Sequence, residues 1–386
     1  MTRKGLPNYL TLDNLYKISE AKGLHVCASH FFDRKGMYPK GGATLNELVG
    51  LQETSPMIVL CGLRDPLKYN INLYANTKKP SKSEGESLSV DSEAGVTYVS
   101  HEMYMNFVKH AQPDLCLSLS DEVFQNSGKK RISKAMQRTI DWLGKSVADF
   151  DAAAADTSEG ERVADGAKQD SDALESVGLV ASIVASSTIE ENVNHAKSAA
   201  TLASDNAVGY AIMGLGLRES DSFKYEALRA MNRELPKSHF RYASGSITTP
   251  LEILQAIECG IDIVDTSFVH ELTSAGMAMV FDLDPDASTD SEADDINLNL
   301  WSDEYVHDQR ILKAGCECYT CRQGFTRGYI HHLLQCRELL AQVLLEIHNT
   351  DHMMKYFKCI RSKISSGGFE RYLCSFQERT NILIEK

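Results

Sequence analysis

Short apolar runs alternate with amphipathic stretches through the middle of the chain. Residues 57–61, 114–119, 179–184, 208–212, 240–245 and 261–265 read as buried strands. Between them, residues 99–111, 132–148, 189–203 and 223–235 place apolar side chains at helical spacing. Thr249-Pro250-Leu251-Glu252 opens a further helix with a capping box and a proline at the first helical position. Residues 10–22 predict an early helix, capped by Thr11 or Asp13. Residues 75–97, rich in Lys, Ser, Glu and Gly, read as a polar excursion. Strands that alternate with helices argue for a parallel sheet. Polar residues at strand C-terminal ends (Asp121, Glu219 and Asp265) favour an α/β barrel of the TIM (β/α)8 type over an open sheet, with a site at that face.

Two acidic stretches break the pattern. Residues 151–173 are rich in Ala, Asp, Glu, Gly and Ser, with almost no large apolar side chain. Such a composition cannot bury enough surface to offset ordering entropy, so it predicts a disordered insertion; a solvated helix over Ala152 to Ala155 is the rival. Residues 282–296 predict a second one. The expected organisation is a barrel over residues 1–300 and a metal-binding subdomain with C-terminal helices over 301–386.

The last part of the chain carries a metal-ligand pattern. Cys316-Glu317-Cys318-Tyr319-Thr320-Cys321 places three cysteines in six residues. The apolar period from Tyr329 onward predicts one amphipathic helix over 329–349, with Asn349 as its C-terminal stop and His348 beside its buried stripe. Three thiolates and one imidazole are a usual structural zinc set, and all four positions would be filled by protein. His331, His332 and His352 compete with His348 for the fourth place. Three reduced core cysteines are the simpler reading, but the tight spacing weighs against it.

Composition narrows the class. The chain has 386 residues, 43% of them hydrophobic, enough for a sizeable core. The other cysteines are scattered, which suits a reducing compartment rather than a disulfide framework. No signal-peptide core and no run of ~20 apolar residues is present, which predicts a soluble intracellular protein. A net charge of −13 argues against the chain as a whole being a nucleic-acid surface. The basic triplet Lys129-Lys130-Arg131 reads as an exposed helix start before it reads as a phosphate contact, and Trp142 and Trp301 as packing residues.

These residues together resemble the tRNA-guanine transglycosylases, zinc-containing TIM barrels that exchange a tRNA guanine for a queuine-type base. The similarity is clearest from about residue 114 to 349. Cys316-x-Cys318-x2-Cys321 with His348 matches the family's zinc motif in order and spacing, which implies one structural zinc. Gly209-Tyr210-Ala211-Ile212-Met213-Gly214 to Glu219 resembles the base-binding strand and loop. Gly260-Ile261-Asp262-Ile263-Val264-Asp265 resembles the strand of the nucleophilic aspartate, and Pro113-Asp114 to Asp121-Glu122 the segment whose aspartate recognises the base. The resemblance thus makes Asp265 the nucleophile position, with Asp121 and Glu219 as weak base-binding candidates.

Departures from the family pattern redirect the function. Catalytic members follow the nucleophile with Cys-Val-x-Pro-Thr-Arg; here Thr266-Ser267-Phe268-Val269-His270 stands instead, without the arginine. The Asp-Ser-Gly-Gly-Phe-Gln loop that supplies a general acid/base is absent around Ala94-Gly95-Val96-Thr97. The Val-Gln-Gly-Gly turn is replaced by Val184-Ala185-Ser186-Ser187, which fills positions where backbone must approach the ligand. One surviving carboxylate without these partners is a poor catalyst. The resemblance therefore implies no catalytic residue, Asp265 being vestigial, and a non-catalytic accessory subunit of a heterodimeric enzyme. Its partners would be a catalytic paralogue and, through the complex, tRNAs with GUN anticodons; a homodimer is a further assembly it allows. The alternative is an active transglycosylase that uses Asp265. The implied location is cytoplasmic, with peripheral placement at the mitochondrial outer membrane.

Overall fold

The computed structural model describes residues 2–3, 6–18, 20–33, 36–37, 43–51, 57–66, 87–92, 95–124, 126–158, 174–215, 220–245, 247–285 and 296–385. It divides into two compact units. The first comprises Met1–Leu6, Gly23–Thr248 and Ala256–Asp265; the second comprises Pro7–Lys22, Thr249–Gln255 and Thr266–Lys386. The boundary expected at residue 300 lies inside the second unit.

Seven strands build the main sheet of the first unit: β1 (Gly23–Cys27), β2 (Ile58–Gly62), β3 (Leu115–Leu117), β4 (Gly178–Val184), β5 (Ala207–Met213), β6 (Phe240–Ala243) and β7 (Ile263–Val264). They pair in chain order, and every pair is parallel. The sheet is curled. Tyr242 Oη of β6 lies 2.9 Å from His25 Nδ1 of β1, although a flat sheet would separate strands five places apart by about 24 Å. Inside the curl, Leu117, Val180, Ala211, Met213 and Tyr242 form one apolar cluster, with Leu115 and Phe240 against it. These positions follow the two-residue period of a strand. Gly209 makes room for this layer: a Cβ there would come within 2.5 Å of the Phe240 ring.

Six of these strands are legible from apolar runs; β1 is not, because Gly23-Leu24-His25-Val26-Cys27 is short and interrupted by a histidine. Residues 87–92 and 95–99 also depart from the polar excursion expected there. They form an antiparallel hairpin, Leu88–Ser92 with Gly95–Val99, because Leu88, Val90 and Val99 bury their side chains. The helix expected over 132–148 runs from Lys129 to Ser158. It continues into the first part of the expected insertion because alanines favour helix, Ala153 is buried, and Asn206 Nδ2 donates to Asp151 at 3.0 Å. Residues 159–173 lie outside the described residues, as do 286–295.

In the second unit, the expected single helix over 329–349 is two. Arg327–Gln335 ends at Cys336, the chain turns through Arg337 at φ 56°, and Leu339–Ser365 follows. Asn349 does not stop this helix. Its side chain is fully buried and has tertiary partners: Oδ1 accepts from the Met279 amide at 2.8 Å, and Nδ2 donates to Met277 O and Thr273 Oγ1. It thereby fixes β8 (Met277–Met279), which pairs antiparallel with β9 (Asn297–Asn299). The acidic stretch at Asp282 begins as an anchored segment: Asp282 pairs with Lys313 and Arg379, and Asp284 with Lys363. Trp301 is 42% exposed, yet its indole N–H donates to Ala275 O. Gly276 admits the ring, since a Cβ would lie 2.4 Å from Nε1.

Candidate metal centre and strand-end site

The second unit gathers Cys316, Cys318, Cys321 and His348 around one point. Cys318 caps the short Tyr319–Arg322 helix, and its sulfur accepts the Cys321 amide at 3.4 Å. That turn folds the three sulfurs together. Thr320 Oγ1 donates to Leu344 O at 2.7 Å and fastens the turn to the Leu339–Ser365 helix. The helix presents His348 from one turn further along. All three sulfurs face the same ring nitrogen: Nδ1 stands 3.7 Å from Cys316, 3.5 Å from Cys318 and 3.5 Å from Cys321. A tetrahedral ion with bonds of about 2.3 Å to sulfur and 2.05 Å to nitrogen requires a separation of about 3.5 Å. The residues fit a metal ion.

The rest of the geometry agrees. His348 Nε2 lies 2.8 Å from Met279 O, a contact that orients the imidazole and leaves Nδ1 for a metal. His348 is fully buried, and Cys318 and Cys321 are 4% exposed. Hydrogen bonds from Cys318 and Cys321 hold the Cys316 thiol far below its ordinary range. Burial lowers the His348 pKa, but the sulfurs of Cys316 and Cys321 outweigh it and raise the group to about 10. A thiolate beside an imidazolium is a charge pair that a cation displaces, with release of protons. The rival histidines stand elsewhere. His331 bonds Leu300 O, His332 faces Cys336, and His352 stacks on His348 outside the ligand group.

At the C-terminal ends of the strands the carboxylates are already occupied. Asp121, 0% exposed, receives Arg131 on both oxygens, at 2.6 and 2.9 Å, and Arg138 on Oδ2 at 2.8 Å. Its own amide donates to Thr139 Oγ1. Arg131, Ala135 and Arg138 share one face of the Lys129–Ser158 helix, so the basic triplet sends its arginine inward to Asp121. Arg138 also lies over the ring of Trp142, which is buried. Asp265 Oδ2 accepts the Gly245 amide at 2.6 Å, and the chain turns directly into the Ser267–Ser274 helix. Asp265 faces His25: burial pushes that histidine down to about 4 against the opposing pull of the carboxylate. Glu219 lies outside the described residues.

The Val184-Ala185-Ser186-Ser187 turn closes on itself. The Ser186 amide donates to Asn192 Oδ1 at 2.5 Å, and its hydroxyl donates to Glu191. The Ser186 amide is thereby spent within the turn. Glu122 receives Ser120 Oγ at 2.9 Å and pairs with Arg64 at 3.4 Å, both side chains being buried. The cavity lined by His25, Arg64, Leu117, Glu122, Met213 and Ser244 has a volume of 20 Å³. That holds about one water. Residues 95–99, where the resemblance leads one to expect an acid/base loop, form a hairpin strand.

A family model described as queuine tRNA-ribosyltransferase matches residues 12–381. The chain belongs to the queuine tRNA-ribosyltransferase family. Membership thus extends well beyond residues 114–349, where the motifs are clearest. Relatives of the same family cover most of the chain at low identity. The protein of Schizosaccharomyces pombe named queuine tRNA-ribosyltransferase accessory subunit 2 is 25% identical over 381 residues, covering 98% of this chain and 76% of that protein. Proteins of the same name from Ixodes scapularis and Homo sapiens are 27% and 25% identical, covering 95% of this chain and 88% of each relative. Among the described residues, no helix is long and apolar enough to cross a membrane.

Sequence reasoning missed the arginines on Asp121 and the anchoring role of Asn349. The spacing of Arg131 and Arg138 on one helix face was available as a signal for the first. Nothing in the sequence signalled the second, because its partners are 70 and more residues away.

Proposed function

We propose that this chain is the non-catalytic accessory subunit of a heterodimeric queuine tRNA-ribosyltransferase. Its partner would be a catalytic paralogue that exchanges guanine for queuine at the wobble position of tRNAs with GUN anticodons. The observation that carries the reading is the occupied strand-end site. Asp121 is neutralised by Arg131 and Arg138, and the Ser186 turn consumes its own amide. The shared name of the relatives supports it. The curled seven-stranded sheet is, in this reading, the greater part of an eight-stranded barrel whose catalytic mouth has been retired.

The ion assigned to Cys316, Cys318, Cys321 and His348 is zinc, because thiolates and imidazole in a closed tetrahedral set select it. Its work is structural: it ties the cysteine turn to the Leu339–Ser365 helix and contributes folding free energy to the second unit. The negative net charge fits a subunit whose partner carries most of the phosphate-binding charge. The protein acts in the cytoplasm, and residence at the mitochondrial outer membrane would come through another protein. The reading in which Asp265 is a working nucleophile is not favoured, since its acid/base partner and RNA-binding arginine are missing.

Guanine exchange on a GUN-anticodon tRNA tests the proposal, with this chain alone and then mixed with the catalytic paralogue. Exchange is expected only in the mixture, and Asp265→Asn should leave the mixture's turnover within about twofold. Exchange by this chain alone, or collapse of turnover in the variant with assembly intact, would overturn it.

A further inference from the structure

The exits of β1 and β2 hold a second group of ligand-type side chains, used neither by the cysteine–histidine centre nor by the strand-end site. β1 ends at Cys27, opposite Gly62 in the sheet register. A single 3-10 turn, Ala28–Phe31, follows at once and carries His30. Asp65 stands three residues beyond the end of β2. The two exits are tied together, since the Ser29 amide donates to Leu63 O at 3.0 Å. The consequence is a thiol, an imidazole nitrogen and a carboxylate oxygen that all lie within 4.8 Å of one another. His30 Nε2 and Asp65 Oδ2 are 3.0 Å apart, with side chains 9% and 8% exposed, and Cys27 is fully buried.

We propose that Cys27, His30 and Asp65 form a second divalent-metal site, of the zinc class, with three protein ligands and an open fourth position. The ligand chemistry argues for it. A soft thiolate, a borderline imidazole and a hard carboxylate together suit zinc better than calcium or magnesium, which take oxygen sets. The Cys-x2-His spacing delivers two ligands from one turn, as in the cysteine–histidine centre. Cys27 as thiolate and Asp65 as carboxylate bring two negative charges, which one divalent ion neutralises. Neighbouring ligands on a tetrahedral zinc stand about 3.3–3.6 Å apart, so with all three atoms within 4.8 Å an ion would draw no pair together by more than about 1.5 Å. Binding would release the Cys27 proton and replace the His30–Asp65 hydrogen bond with two metal bonds. Three protein ligands leave one position for water or another small ligand, where the cysteine–histidine set leaves none. A histidine–aspartate pair that only braces the turn would need no thiol beside it.

The test uses the full-length chain purified with zinc in the medium, and reads metal per chain by mass spectrometry. The wild type is expected to hold about two ions, and Cys27→Ser, His30→Ala and Asp65→Asn about one each. In the same variants, a cobalt-substituted sample should keep the strong sulfur-to-cobalt absorption of the cysteine–histidine centre. Cys318→Ser should show the reverse, losing most of that absorption while the weaker band of one thiolate remains. Cys61→Ser, a buried cysteine outside the group, should leave the ion count unchanged. A wild type that holds only about one ion would overturn the proposal without recourse to any variant. So would Cys27→Ser or Asp65→Asn protein that still holds two.

Discussion

Arg131 and Arg138 decide what Asp121 is. A lone carboxylate at a strand end can read a base; one that accepts three short guanidinium bonds in a buried site has one of its four lone pairs left. Asp265 likewise accepts a backbone amide, that of Gly245. Burial acts just as strongly on His195, which packs against the Lys129–Ser158 helix with Nε2 3.1 Å from Met136 O. Burial pushes its pKa from 6.5 down to about 4, against the pull of carbonyls from Met136 and Val184. The unfolded chain therefore takes the proton first as pH falls. The stability that the neutral ring contributes is complete above pH 6.5 and is lost as pH drops toward 4, about 3 kcal/mol in all. Urea unfolding at pH 7 and pH 4.5 checks this. His195→Gln should show an acid loss smaller than wild type by about 2–3 kcal/mol; equal losses in the two proteins would refute it.

The break between Arg327–Gln335 and Leu339–Ser365 is an element-scale device. Apolar periodicity continues across it, so the sequence reads as one helix, but Arg337 adopts φ 56° and redirects the chain. A left-handed conformation costs a residue with a Cβ about 1 kcal/mol or more, and glycine almost nothing. Arg337 is exposed, so little packing depends on its side chain. Arg337→Gly should therefore raise stability by about 0.5–1 kcal/mol, read as an upward shift in Tm; a downward shift would show that the guanidinium has a role the turn does not reveal. The redirection matters because it lets the second helix bring His348 onto the cysteine turn and Asn349 onto β8. The Asp151–Ser158 extension teaches the opposite lesson: composition predicts disorder, while a buried Ala153 and one bond from Asn206 hold a helix.

For the whole molecule, the candidate metal centre and the strand-end carboxylates belong to separate units, each with its own core. Leu300, Leu312, Ile330, Leu344 and Leu345 pack around Cys318 and Cys321, so an ion held there would couple to the apolar core of the second unit. Cys318→Ser should lose that ion, lower the Tm by more than about 5 °C, and abolish binding to the catalytic paralogue. Metal analysis, calorimetry and co-elution read the three effects. A metal-free variant that still melts like wild type and still assembles would contradict a structural role for the ion.

What the sequence determined by itself is what depends on neighbours along the chain. The strand–helix alternation, the capped helix starts and the Cys316-x-Cys318-x2-Cys321 turn are local, and so is the loss of the glycine pair at Ser186-Ser187. The family resemblance rested on those same contiguous motifs. Tertiary structure decided what depends on residues far apart. It chose His348 over His331, His332 and His352, because only its Nδ1 meets all three sulfurs. It turned Asn349 from a helix stop into an anchor for β8 and brought Cys27 and His30 beside Asp65. It also closed the curl through His25 and Tyr242, 217 residues apart. Burial and hydrogen-bond partners set the chemistry of a side chain, and spacing along the sequence does not specify either.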